Sequence, residues 1–175
     1  LMRGSGLSPR TVADRVTLAD VAPTVAGLLG WPMADVDGLD LAPALGGGSI
    51  PARELYAESY APLVEFGWSP LRSIRSDTWK YIAAPRPELY DLTNDAGETR
   101  DASSGQADVA RRLDDRLTRI SGPALPSLPQ SLDREARARL GALGYTSSGG
   151  PATAGGPRPD PKDRRDLAAR LAQVT

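Results

Sequence analysis

Apolar residues recur at helical spacing near both ends of this chain and alternate with polar ones between them. The stretch "VTLADVAPTVAGLLGW" (16–31) places Val21, Val25, Leu28 and Leu29 at i, i+4, i+7 and i+8. Asp20 can cap this helix and Pro23 suits its first turn, while Gly30 and Pro32 stop it. "MADVDGLDLAPALGGGSIPAR" then reads as a turn at Asp37-Gly38, a short apolar turn over Leu39 to Leu45, and a Gly triplet that continues no element. From Glu54 the period shortens. "ELYAESY" (54–60), "WSPLRSIRSD" (68–77), "TWKYIAAP" (78–85) and "PELYDLT" (87–93) are short strand-like runs with β-branched or aromatic residues, separated by Pro, Gly or Ser-Asp. Ser76-Asp77 reads as a hairpin turn.

The helical period returns in "QADVARRLDDRLTRI" (106–120), where Val109, Leu113, Leu117 and Ile120 form a stripe opposite charged residues. That order predicts a small antiparallel sheet covered by one helix. "LPSLPQ" (125–130) is a Pro-rich connector, "SLDREARARLGALGY" (131–145) a short helix, and "TSSGGPATAGGPRP" (146–159) a flexible linker by composition. "DPKDRRDLAARLAQV" opens another helix. Five segments follow: 1–50, 51–122, 123–145, 146–159 and 160–175. Leu1 before Met2 and an uncapped helix at Thr175 read as cut ends, and no internal repeat is visible.

Composition makes the core thin. Aromatic residues are 5% of the chain, and 18 Gly with 16 Pro give a loop-rich balance. The net charge of −1, with both signs interspersed, provides no basic stripe for nucleic acid. No apolar run reaches the roughly 18 residues that cross a bilayer. The absence of Cys and His removes a thiolate nucleophile, a Ser/His/Asp triad and a His-ligated metal.

The acidic stretch "PELYDLTNDAGETRDAS" (87–103) looks most like a site. Counted from Asp91 as a calcium loop, position 3 is Thr93, position 6 is Ala96 and position 12 is Ala102, so three requirements fail. Asn94-Asp95-Ala96-Gly97 is turn chemistry, which gives a strand, a turn and a lead into the helix. Glu58, Tyr60, Trp68 and Arg72 are the substrate-binding candidates. They combine a carboxylate, a guanidinium fork and two aromatic platforms, suited to an anionic or sugar-like substrate; the competing reading is a sheet core with solvated charges. Lys80, between Trp79 and Tyr81, reads as a solvated edge residue. Asp20 and Thr24 read as residues that satisfy a helix start.

Taken in order, "LADVAPTVAGLLGWPMADVDGLDLAPAL", "ELYAESY", "LRSIRSDTWKYI" and "ELYDLTNDAGETRDAS" resemble the C-terminal portion of a sulfatase of the alkaline-phosphatase-like superfamily. Ala96 and Asp101 depart from the Pro and Asn of the family's pattern. "RARLGALGY", the Gly/Pro stretch and "PDPKDRRDLAARL" resemble sulfatases followed by tetratricopeptide-type repeats. The fold class this implies is α/β: the last elements of an alkaline-phosphatase-like sandwich, a small antiparallel sheet with a packed helix, then a flexible linker and a terminal helix.

The resemblance further implies sulfuric ester hydrolysis in a longer protein, using formylglycine and calcium. The C/S-x-P-x-R motif and the family's histidines are missing here, so no catalytic or metal residue carries over and the segment alone is expected to be inactive and to bind no cofactor. Implied partners are a sulfate-ester small molecule or sulfated glycan and, through downstream helical repeats, a protein. Nucleic acid and a membrane segment are not expected. The family suggests a periplasmic or extracellular setting. Two rival readings are the same module of a phosphodiesterase or phosphonate hydrolase, and a non-enzymatic binding or scaffold module.

Overall fold

The computed structural model describes residues 9, 11–31, 33–122 and 157–172. These belong to two compact units, Leu1–Leu55 and Tyr56–Thr175. The Pro-rich connector, the short helix expected over 131–145 and most of the Gly/Pro stretch lie outside the described residues.

In the first unit a 3-10 turn, Leu18–Asp20, runs into helix α1, Val21–Leu28. Asp20 is fully buried and gathers the unit around its carboxylate. Oδ2 accepts the Thr17 N–H at 2.8 Å, Oδ1 accepts the Leu39 N–H at 2.9 Å, and the Arg53 guanidinium donates to both oxygens. Thr24, also fully buried, donates through Oγ1 to the Asp20 carbonyl at 2.6 Å and accepts the Leu41 N–H at 2.9 Å. The loop over residues 37–41 is thus tied onto the start of α1. Gly38 permits the approach, since a Cβ there would lie 2.0 Å from the Ala19 carbonyl oxygen. A short helix α2, Ala42–Leu45, follows with Ala44 buried.

The helix expected at 16–31 therefore forms, but Asp20 and Thr24 do more than cap it. The stripe that predicted it faces outward: Val21, Val25, Leu28 and Leu29 are 54%, 46%, 55% and 60% exposed, and Trp31 is 74% exposed.

The second unit is built on a four-stranded sheet in the order β1-β2-β3-β4, with β1 Leu55–Ser59, β2 Leu71–Ser76, β3 Trp79–Ala83 and β4 Glu88–Asp91. Both the β2–β3 and β3–β4 pairings are antiparallel. Ile74 lies opposite Tyr81, and Tyr81 opposite Leu89, so three large side chains form one row across the sheet. Helix α4, Ala107–Ser121, sets Leu113 and Leu117 on that row, and these five buried residues are the core. Ile120 is instead 45% exposed, because the position one turn beyond Leu117 is Ser121. Between β1 and β2 lies helix α3, Ala61–Phe66, which the strand pattern did not reveal. Its local signals are Pro62 in the first turn and Gly67 beyond the end at φ +69°. Lys80 is not an edge residue, for β3 is an inner strand and its Nζ donates to Glu98 at 2.6 Å.

Asp160 caps a 3-10 turn, Pro161–Arg164, and helix α5, Arg165–Ala172, follows.

Two stability measurements test these cores. Leu117→Ala, which empties a side chain that is 1% exposed, is expected to cost the second unit about 2–5 kcal/mol in urea unfolding, while Thr118→Ala on the exposed face costs little. Asp20 is held at about 2, chiefly by the Arg53 hydrogen bonds against the opposing effect of burial, with the Leu39 and Thr17 N–H groups assisting. A carboxyl depressed in the folded state stabilises above its unfolded value near 4 and loses that contribution as pH falls toward 2. The first unit should therefore lose roughly 2–3 kcal/mol across that window, and Asp20→Asn should remove the acid-dependent component.

Candidate functional site

Alternation along β1 puts Tyr56 and Glu58 on one face, and the chain turns at Tyr60 into α3. Tyr56 packs partly against the core row, so this face is the one that α4 covers. Its hydroxyl donates to the Glu58 carboxylate. Tyr60 shares the surroundings of the same carboxylate, and burial followed by the negative Glu58 raises its phenol above the ordinary value. Tyr56 is raised first by burial, then by its hydrogen bond to Glu58 and by that carboxylate's charge. Two protonated phenols thus flank one exposed carboxylate.

Arg72, from the neighbouring strand, shares this surrounding and lowers both phenols slightly against the larger effects. Its Nη1 donates to Ser121 Oγ at 2.7 Å and to the Gly122 carbonyl at 3.4 Å. A cation at the C-terminal end of α4 is well placed to meet the helix dipole and its unpaired carbonyls.

Of the four candidates, Glu58, Tyr60 and Arg72 come together. Trp68 does something else: it is 9% exposed and stacks on Phe66 with ring centroids 4.4 Å apart. Tyr56, missed in the sequence, completes the cluster. Its signal was its position two residues before Glu58 on the same strand. Phenols pushed upward are donors rather than nucleophiles, and the carboxylate retains free lone pairs. The arrangement can bind hydroxyl groups. Arg72, engaged with the end of α4, is a weaker anion fork than its residue type suggested.

The acidic stretch resolves into separate turns. Asp91 accepts the Thr93 N–H at 3.0 Å and the Asn94 amide at 2.7 Å. Asp95 accepts the Thr99 and Arg100 N–H groups at 2.9 and 2.8 Å, which hold its carboxyl below the usual range. Asp101 reaches back to the Leu89 N–H at 3.0 Å and fixes the start of α4's lead-in against β4. Burial, then the negative charge of Glu88, pushes the Tyr90 phenol up to about 12. Among the described residues no three His, Cys, Asp or Glu side chains converge as a metal site, and the carboxylates of this stretch do not fit a calcium ion. No helix among the described residues is long and apolar enough to cross a membrane.

If Arg72 anchors the end of α4, Arg72→Met should speed amide exchange in the last turn of α4, at Ile120 and Ser121, by roughly tenfold or less. Exchange at Leu113, one and more turns inside, should be unchanged.

No family model and no curated protein sequence matches the chain. Solved structures do. A crystal structure of Ps i-CgsB is 22% identical over 78% of this chain and 32% of its own, with a TM-score of 0.54. A second one, in complex with k-i-k-neocarrahexaose, is 23% identical over 71% and 28%, with a TM-score of 0.50. BT1596, a 2-O GAG sulfatase, is 23% identical over 79% and 30%, but its TM-score of 0.48 is too low to bear on the fold. The chain spans about a third of the length of Ps i-CgsB. The fold shared with Ps i-CgsB is a mixed α/β one with a small four-stranded antiparallel sheet.

Proposed function

We propose that this chain is the C-terminal part of a sulfatase-like hydrolase, a protein that cleaves sulfuric esters with residues lying outside the present sequence. The four motifs that resemble a sulfatase C-terminus in order and spacing carry this reading, and the mixed α/β fold shared with Ps i-CgsB over 78% of the chain agrees with it. The outward apolar stripe of α1 supports it, because a contiguous set of half-exposed aliphatic residues beside Trp31 is a surface suited to burial against more protein.

Within that protein the segment supports the fold and shapes the substrate pocket. Tyr56, Glu58 and Tyr60 offer donors and an acceptor to the hydroxyls of a sulfated glycan or smaller sulfate ester. Arg72 holds them by fixing the end of α4. Formylglycine and calcium belong to the remainder of the enzyme, and the setting is the periplasm or outside the cell. The helix α5 opens a further helical region, with tetratricopeptide-type repeats as its model and a protein as its partner.

The decisive measurement is hydrolysis by the purified chain. It should turn over neither aryl sulfates nor aryl phosphates or phosphonates, with or without calcium. Grafted onto a catalytic portion carrying the C/S-x-P-x-R motif, it should support sulfate cleavage in preference to phosphate, with Glu58→Gln raising KM more than it lowers kcat. Metal-dependent activity of the chain alone that disappears in Asp91→Asn or Asp95→Asn would overturn the reading.

A further inference from the structure

The segment that returns to the second unit at Pro157 is held by polar contacts at three places. Ser69, just before β2, donates its N–H to the Pro159 carbonyl at 2.9 Å. In the β3–β4 turn, Arg86 donates its N–H to the Asp160 carboxylate at 3.0 Å and its guanidinium to both oxygens of Asp163 at 2.8 and 2.7 Å. Lys162 completes the set. Its ammonium donates to the Arg86 carbonyl and lies 3.3 Å from Glu88 and 3.6 Å from Asp160.

The carboxylate of Asp160 is the centre of these contacts. It is 3% exposed, and its second oxygen accepts the Lys162 N–H at 2.9 Å, which closes the 3-10 turn that leads into α5. The Arg86–Asp163 pair is by contrast 60% and 53% exposed, a setting in which salt screens most of its strength. Charges of both signs alternate across the contact, and Pro159 and Asp163 are exposed. The sheet's own core residues, Ile74, Tyr81, Leu89, Leu113 and Leu117, come entirely from residues 56–122. A segment joined by ion pairs and a few backbone hydrogen bonds, to a unit whose core is complete without it, can leave while the unit stays folded.

We propose that residues 157–164 form a charge-held latch that docks the chain onto the sheet unit and sets the direction of α5, and that raised ionic strength or loss of the Asp160 carboxylate releases it. The closed latch presents α5 in one fixed direction from the sheet. The open latch leaves α5 tethered only by the chain.

The test is amide exchange followed by NMR on the full chain of 175 residues. In low salt the Ser69 and Arg86 N–H groups should be protected. In Asp160→Ala both should exchange roughly tenfold or more faster, because each loses its acceptor when the segment lifts. In the unaltered chain, about 0.5 M sodium chloride should accelerate the same two amides, while Tyr81 and Leu117 hold their rates. Arg86→Gln should make the release easier in salt without disturbing Tyr81. Unchanged rates at Ser69 and Arg86 in both the variant and high salt would overturn the latch. So would acceleration of Tyr81 in step with Ser69, which would make the segment an integral part of the sheet unit.

Discussion

Loops in this molecule are held by carboxylates that accept backbone N–H groups from elsewhere in the chain. Asp20 takes the Leu39 N–H, Asp101 the Leu89 N–H, and Asp160 the Arg86 N–H. A chain with one Phe, 18 Gly and 16 Pro has little apolar material with which to pin its connections. A short acidic side chain with two oxygens can join two or three strands of backbone while satisfying donors that burial would otherwise orphan. The arrangement makes each loop conformation depend on one charge. Where the carboxylate is fully buried, as at Asp20, the Arg53 guanidinium offsets the cost of removing it from water.

The second unit works differently, and that difference places the candidate site. Its row of Ile74, Tyr81 and Leu89 under Leu113 and Leu117 is a small apolar core, and the polar cluster of Tyr56, Glu58, Tyr60 and Arg72 begins where α4 ends. Ser121 stands where a fourth apolar residue would extend the helix stripe. Its hydroxyl lets Arg72 cross to the helix end, so the boundary between core and cluster is set by one substitution in the stripe.

Strands and the long helix were legible because their periods are local. Each of the four strand-like runs contains one strand, and the stripe at 106–120 matches α4 to within a residue. The turn at Asp77 was legible from Ser76-Asp77 chemistry, as its φ of 48° bears out. What escaped depends on pairs far apart in sequence. Arg53 lies 33 residues from Asp20, and nothing in the spacing of either announces the other. The turning of α1's stripe toward solvent escaped because periodicity reports that a face is apolar, not what covers it. Trp68 was grouped with Arg72 by proximity in sequence, whereas the left-handed Gly67 turns it back onto Phe66. Only three of four candidate side chains were therefore brought together, and the fourth member, Tyr56, came from strand alternation.

That outward stripe also governs how the isolated chain behaves as a colloid. Leu18, Val21, Val25, Leu28, Leu29 and Trp31 are all exposed, while the net charge of −1 and a pI of about 5.5 supply almost no long-range repulsion. Two molecules that meet along α1 have an apolar area to bury and little charge to separate them. Solubility is then set by the solvent: kosmotropic salts drive the chains together, and mildly alkaline buffers of low ionic strength keep them apart.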